Sequence, residues 1–326
     1  MTAAATRIGS PDKVRLSITC ALVGSLAFSL NDVAGKSFTS TFPLHEVILF
    51  RALVALAFTL AVFSPGMRVA EVFRTRRLGA HLFRGACVVL SNLTYFLALA
   101  TLPLAETSAI FFIAPLLITA LSAWLLREHV GAWRWMALAV GMAGVLLIVK
   151  PGAVSFQWAV VLPALSALAY AGMHMMTRRM GLAEPAVTMA VYIQLTFIAV
   201  CLAMGLVVGD GRFAGSGNAS LEFLFRPWLW PAPRDLLVFL AAGALSATGG
   251  YLMSQAYRNS AAGLVAPFEY TALVLATFWG FAIWGEVPGL LSGAGIVLIL
   301  ASGVMVGARE AWRALRQPAT AQPRRP

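Results

Sequence analysis

Long apolar runs, each ended by a few polar or turn-forming residues, fill almost the whole chain. Ten can be drawn, at residues 14–34, 45–63, 81–101, 104–125, 133–149, 155–175, 187–208, 235–257, 263–283 and 288–306. Each holds about 20 residues, enough for a helix to cross a hydrocarbon layer of about 30 Å. The runs are continuous, whereas a transmembrane β-barrel needs alternating segments of about ten residues. The pattern therefore predicts an all-α polytopic membrane protein with ten transmembrane helices.

Two stretches offset by 158 positions read alike: "ALATLPLAETSAIFFIAPLLITALSAWLLREHVG" from Ala98 and "AYRNSAAGLVAPFEYTALVLATFWGFAIWGEVPG" from Ala256. Five spans separate each helix from its partner, so the copies enter the membrane from opposite sides. That predicts an inverted five-plus-five repeat, an arrangement in which two halves rock about a site at their interface. Residues 14–151 are the first repeat and 152–309 the second, joined near "KPGAVS", with tails at 1–13 and 310–326.

Composition agrees: 60% of the 326 residues are hydrophobic and 11% charged, against about a quarter charged in soluble domains. The net charge of +11 does not point to nucleic acid, because of where it lies. With the N-terminus inside, the inner loops and tails hold 18 of the 24 Lys and Arg residues. This positive-inside bias orients a multi-pass chain and puts both termini in the cytoplasm. The long segment 209–234 is then external, and its "RPWLWP" suits the headgroup layer. Cys20, Cys87 and Cys201 all fall inside spans without CxxC spacing and read as packing residues. The first run is too long for a cleaved signal and lacks an A-x-A exit.

Polar side chains inside spans are costly, so they are the functional candidates. "SLNDVAGK" ends span one; Asp32 and Lys36 are i,i+4 and able to pair, with Asn31 alongside. Arg51 lies in span two after Glu46, and Asn92 and Tyr95 share a face of span three. Span four carries Glu106 at its start, then Phe111 and Phe112 before Pro115, which removes a backbone bond in mid-helix. Tyr170 and His174 lie in span six, Tyr192 and Gln194 in span seven, and Tyr251, Gln255 and Arg258 in span eight. Span nine has Glu269 and Tyr270 just after Pro267, and Glu269 is the coupling candidate, with pairing to Arg258 or Arg51 as its structural alternative. Glu128 and Glu286, each beside a Gly-containing turn, read as structural ties to backbone or to a neighbouring cation. Gly141/Gly144, Gly289/Gly293 and Gly303/Gly307 are spaced for close helix packing within a monomer or between two protomers.

The chain has no HExxH, no GxSxG, no Asp-rich diphosphate motif and no phosphate loop, and its four histidines are not spaced as a metal pair. No cofactor, metal site or enzymatic activity is expected.

At these residues the chain resembles the drug/metabolite transporter superfamily, EamA type. "LREHVGAWRWMALAVGMAGVLLI" and "WGEVPGLLSGAGIVLILASGVMV" resemble the endings of that family's two halves. "ALATLPLAETSAIFFIAPL" and "QAYRNSAAGLVAPFEY" resemble its third-to-fourth and eighth-to-ninth helix junctions. "NDVAGKSFTSTFPLHEVILFRALVA" is similar to the opening of bacterial riboflavin and S-adenosylmethionine uptake carriers. The resemblance implies a central cavity lined by spans one, three, four, six, eight and nine. It carries Asn31, Asp32, Lys36 and Arg51 over as site or gate positions, joined from the residue reading by Asn92, Tyr95, Phe112, Tyr170, Tyr251, Gln255 and Tyr270. The expected function is secondary transport of a small organic metabolite, such as a vitamin or nucleoside-like solute, across a bacterial inner membrane, with proton coupling through Glu269. Export of amino acids or drug-like metabolites is the alternative, and a channel or an intramembrane enzyme the rival from another class.

Overall fold

A computed structural model describes residues 11–64, 66–125, 131–149, 158–180, 184–259 and 268–316. Those residues are helical, with no strand among them. In chain order the helices are α1 (Pro11–Ser37), α2 (Leu44–Phe63), α3 (Val69–Val72), α4 (Leu78–Leu99), α5 (Leu104–Phe111), α6 (Ala114–Leu125), α7 (Ala132–Val149), α8 (Val161–Met180), α9 (Ala186–Val208), α10 (Ala219–Phe225), α11 (Pro233–Asn259), α12 (Thr271–Trp284) and α13 (Leu290–Arg316). A 3-10 turn at Trp158–Val160 leads into α8. Six helices are long and apolar enough to cross a membrane: Arg15–Ser37, Leu44–Phe63, Leu78–Leu99, Trp158–Thr177, Ala186–Val208 and Pro233–Met253. Shorter apolar helices cover Leu104–Ile118, Trp135–Ile148, Thr271–Trp284 and Leu290–Met305. Glu128, Pro267, the join at Pro151 and Gly152, and most of both tails lie outside the described residues, as does the side chain of Arg258.

The predicted fourth span is not one helix. Its first part, α5, ends at Phe111, two turn residues follow, and α6 resumes at Ala114. Pro115 explains the break: without an N–H it cannot bond the carbonyl four residues back, at Phe111, and its ring crowds that turn. The chain recovers when Leu116 and Leu117 both donate to the Ile113 carbonyl at 3.0 Å. On the second half, Tyr270 is likewise a turn residue ahead of α12.

Two loops hold structure that the hydrophobic pattern does not announce. α3 lies between α2 and α4, and α10 lies within the long segment before α11. α10 is capped by Asn218, whose Oδ1 accepts from the Ser220 and Leu221 N–H groups, the usual satisfaction of orphan donors at a helix start. Phe223 is fully buried beneath it, and Arg226 donates to the Thr39 and Phe42 carbonyls at 3.1 and 3.2 Å. The segment is thus stitched onto the α1–α2 turn. Trp230 stays almost fully exposed, as an interfacial aromatic would.

The most extensive helix pairings are α1 with α11, α4 with α8, α7 with α13, and α2 with both α9 and α11. Buried apolar residues form two main clusters. One lies among α1, α2, α4, α9 and α11, and the other among α5, α6, α7, α8, α12 and α13. Phe111 and Tyr170 pack against both clusters and mark their junction.

Small residues let α7 and α13 touch backbone to backbone. A Cβ on Gly144 would sit 2.7 Å from the Gly295 carbonyl, and one on Gly295 would sit 2.5 Å from the Gly144 carbonyl. Gly289 and Gly293, read from sequence as a packing pair, face open space instead. Gly144→Ala should therefore force the two helices apart and destabilise the detergent-purified protein by about 1–3 kcal/mol. Gly293→Ala should be neutral or slightly stabilising, since helical Gly costs about 1 kcal/mol relative to Ala. Thermal unfolding of both variants checks this, and equal losses would refute the crossing.

Candidate substrate site

α1 ends in a polar turn, and its neighbours arrange themselves around it. Tyr95 on α4 donates its hydroxyl to Asp32 Oδ2 at 3.0 Å. That uses the single phenolic proton, so Ser108 Oγ on α5, 2.9 Å away, donates in turn to Tyr95. Asn31 Nδ2 donates to Asp32 Oδ1 at 3.4 Å, while Asn31 Oδ1 is buried with no hydrogen-bond partner among the described residues. Arg51 from α2 donates through Nη2 to Asn92 Oδ1 at 2.6 Å and lies over the Phe96 and Phe197 rings at 5.1 and 5.7 Å. It also feels the Asp32 charge. Its anchor is the Asn92 amide.

Aromatic rings continue from this network. Tyr95 meets Phe111 edge-on at 5.3 Å, and Phe111 meets Phe112 at 5.9 Å and Tyr170 at 5.2 Å. Phe112 reaches Tyr270 at 5.6 Å, and Tyr170 reaches His174 at 4.4 Å. The rings therefore sit at both helix breaks and at the junction of the two cores. Glu269 is buried and interacts electrostatically with Tyr170 and Tyr270. The Tyr270 hydroxyl is buried without a hydrogen-bond partner among the described residues. Asp32, Phe111, Phe112, Tyr170 and His174 are only partly buried.

The expected Asp32–Lys36 pair does not form. Lys36 is ion-paired with Glu286, with its Nζ also 3.4 Å from the Leu102 carbonyl and 5.0 Å from the centre of the Trp284 ring. One turn of helix separates the two side chains, and each pairs elsewhere: Asp32 with Tyr95 on α4, Lys36 with Glu286 in the turn after α12. Glu286 also accepts the Leu104 N–H at 2.9 Å, capping α5, which has no side-chain cap of its own. The local sequence makes this reach possible. Gly285 adopts a left-handed conformation (φ 66°) that ends α12, with the Gly285 and Glu286 N–H groups returning to the Phe281 and Gly280 carbonyls. The Glu286 carboxylate then turns back onto α5 and α1.

Tyr251, one of the predicted site residues, lies apart from this cluster. It stacks on Phe63 at 3.9 Å, where α11 packs on α2. Gln255 is half-buried one turn further along α11. Conversely, three participants escaped the sequence reading. Ser108 gave no signal, because a hydroxyl is cheap in an apolar run. His81 approaches Glu184 at 3.4 Å and stacks on Tyr192 at 4.5 Å. Arg84, one of the cations counted as inner-loop charge, is buried inside α4, where a charge three residues into an apolar run was the available clue. Among the described residues no His, Cys, Asp and Glu side chains converge as a metal site.

This geometry belongs to a chain with recognisable similarity to known transporters. Residues 15–150 match the EamA-like transporter family. That part of the chain is thus similar to an EamA-like transporter domain, and six of the described helices are long and apolar enough to cross a membrane. Among full-length relatives, a pseudopaline exporter of Pseudomonas aeruginosa is 28% identical, over 89% of this chain and 95% of that protein. A riboflavin transporter of Vibrio cholerae is 27% identical, over 85% and 89%. An S-adenosylmethionine uptake transporter of Rickettsia prowazekii is 21% identical, over 87% and 90%. One solved crystal structure superposes with a TM-score of 0.65 at 21% identity, over 92% of this chain and 98% of that one, and speaks to the fold alone.

The Lys36–Glu286 contact yields a direct test. Lys36→Met and Glu286→Gln should each lower the unfolding midpoint, and the double variant should lose less than their sum, with a coupling on the order of 1 kcal/mol. Gln retains an acceptor for the Leu104 N–H, so the cycle isolates the ion pair. Additive losses would mean that the two charges act separately.

Proposed function

We propose that the protein is a secondary carrier of a small organic metabolite in a bacterial inner membrane, working by alternating access of two inverted five-helix halves, residues 14–151 and 152–309. The best-fitting solute is a vitamin or nucleoside-like molecule such as riboflavin or S-adenosylmethionine. The observation that carries this reading is the convergence, at the junction of both cores, of the Asp32–Tyr95–Ser108 chain, the Arg51–Asn92 pair and the Phe111, Phe112, Tyr170 and Tyr270 rings. Buried polar groups normally find partners, so the orphaned Asn31 Oδ1 and Tyr270 hydroxyl are suited to a bound solute. The rings suit its planar part. Relatives named for riboflavin and S-adenosylmethionine point the same way. Export is the second reading, favoured by the pseudopaline exporter.

Helix exchange supports the inverted halves. Swapping each span with the one five places on turns α1 with α11 into α8 with α4, and α2 with α11 into α9 with α4. The α2–α9, α7–α13 and α5–α12 pairings map onto themselves. Detail follows the same rule: Gly24 and Gly249 face each other between α1 and α11, and Ser166 and Ser91 hydrogen-bond at 3.0 Å between α8 and α4. Shifts of 142 and 158 positions carry one pair onto the other. The first shift also carries Pro43 onto Pro185, the residues that precede α2 and α9.

Two experiments test the proposal. A cysteine at Ser216 should be labelled by an impermeant reagent outside intact cells, and one at Glu71 should be spared. Labelling at Glu71 alone would reverse the topology and remove the cytoplasmic termini with it. In liposomes, wild-type protein should show substrate counterflow with a riboflavin- or nucleoside-like solute found by thermal-shift screening. Glu269→Gln should keep counterflow but lose the pH dependence of gradient-driven uptake, because exchange need not cycle the proton. Gradient-driven uptake with its normal pH profile would exclude Glu269, which faces Tyr170 and Tyr270, as the coupling group.

A further inference from the structure

Cations inside this bundle are handled in different ways. Lys36 ends on the Glu286 carboxylate. Arg51 is held by Asn92, lies between two aromatic faces and has Asp32 in its field. Among the described residues Arg84 meets neutral groups, although it is just 4% exposed. Its Nε donates to Thr177 Oγ1 at 2.8 Å. The two terminal nitrogens carry four of a guanidinium's five N–H donors. Among the described residues their contacts are long, Nη1 to the Met189 carbonyl at 3.5 Å and Nη2 to Met173 Sδ at 3.9 Å. No carboxylate forms an ion pair with Arg84 among the described residues. Glu184, on the same end of the bundle, is engaged by His81 and Thr75.

A guanidinium retained for stability inside a membrane bundle is expected to be neutralised, because an isolated charge there is expensive. One left with its fork unfilled matches the geometry of an oxyanion. Its position fits that use. Tyr170, Met173, His174 and Thr177 form one stripe of α8 at helical spacing, leading from the ring cluster to Arg84. On α4, Arg84 lies eleven residues before Tyr95, a distance of about 16 Å along the axis. We propose that Arg84 binds a carboxylate or phosphate of the transported solute, at the end of the site remote from Asp32. The substrate class is then an elongated molecule with a planar or hydrogen-bonding head for the ring cluster and an oxyanion tail for Arg84. This rests on the carrier reading above.

The test uses two probe pairs that differ only in the oxyanion: riboflavin 5′-phosphate against riboflavin, and tyrosine against tyramine. Binding to full-length, detergent-purified protein is followed by thermal shift and by counterflow in liposomes. In the wild type, the oxyanion-bearing member should bind about tenfold tighter, the size of a charge-assisted hydrogen-bonded pair. In Arg84→Met that preference should fall to about twofold or less, while affinity for the tail-less member stays unchanged. A purely structural Arg84 would weaken both members alike. If Arg84→Met fails to accumulate, Arg84→Lys is read instead: a preference reduced by about threefold or more supports the proposal, because Lys keeps the charge and loses the fork. An undiminished preference in either variant, or none in a wild type that still exchanges solute, overturns it. Absence of both binding and exchange overturns the carrier reading as well.

Discussion

A carboxylate inside an apolar bundle dictates what must surround it. Asp32 sits near the end of α1, where ionised groups cost on the order of 3 kcal/mol on insertion scales, and it recruits partners from three other elements. Tyr95 comes from α4 and brings Ser108 from α5; Arg51 comes from α2 and brings Asn92 from α4. Each link satisfies one group and fixes the position of the next, so the network joins four helices that apolar contact alone would leave free to slide. The side chains that make α1 tolerable in the bundle are also those that give the centre its polarity.

A second constraint is the backbone. An α5–α6 segment interrupted at Phe112 and Ile113 exposes carbonyls and N–H groups that lipid cannot satisfy, and such breaks are tolerated only inside protein or beside a cavity. The rings of Phe111 and Phe112 pack at this break, and Tyr270, the turn residue ahead of α12, packs against Phe112. At the start of α5 the missing cap is supplied from far away in sequence, by Glu286. Gly285 makes that possible, since its left-handed turn aims the carboxylate at Leu104 and Lys36 together. A three-residue "WGE" is thus a device for bringing the end of α12 back onto the first half.

What the sequence revealed and what it hid divide along physical lines. Span positions were legible because membrane thickness enforces a length and lipid enforces apolarity, and the described helices follow the runs except for the breaks at Pro115 and Tyr270 and the extension of α13 to Arg316. Partner choice was not legible. The i,i+4 rule that joined Asp32 to Lys36 describes neighbours on an isolated helix surface. It says nothing of Tyr95 and Glu286, which lie 63 and 250 residues away. Tyr251 shows the same limit, since helical spacing gives a face but not which helix covers it, and here Phe63 does. Arg84 was hidden by its usefulness as a topology charge. α3 and α10 were hidden because short helices in polar loops carry no hydrophobic signature.

If the proposed halves exchange, their matched packing and unlike chemistry have a mechanical consequence. Where Gly24 meets Gly249 on one side, Ser91 bonds Ser166 on the other, so equivalent crossings hold equally small residues. The shift that relates α1 to α8 puts His174 where Asp32 stands. The first half thus lines the centre with a carboxylate, a guanidinium and two amides, whereas the second offers Tyr170, His174, Glu269 and Tyr270. Under the proposed exchange of halves, a solute would stay in contact with both walls while the mouths change around it. Only an asymmetric solute, with one end for the hydrogen-bonding wall and another for the rings, could keep a single pose through that exchange. In the proposed carrier, the lopsided wall would select for orientation before it selects for identity.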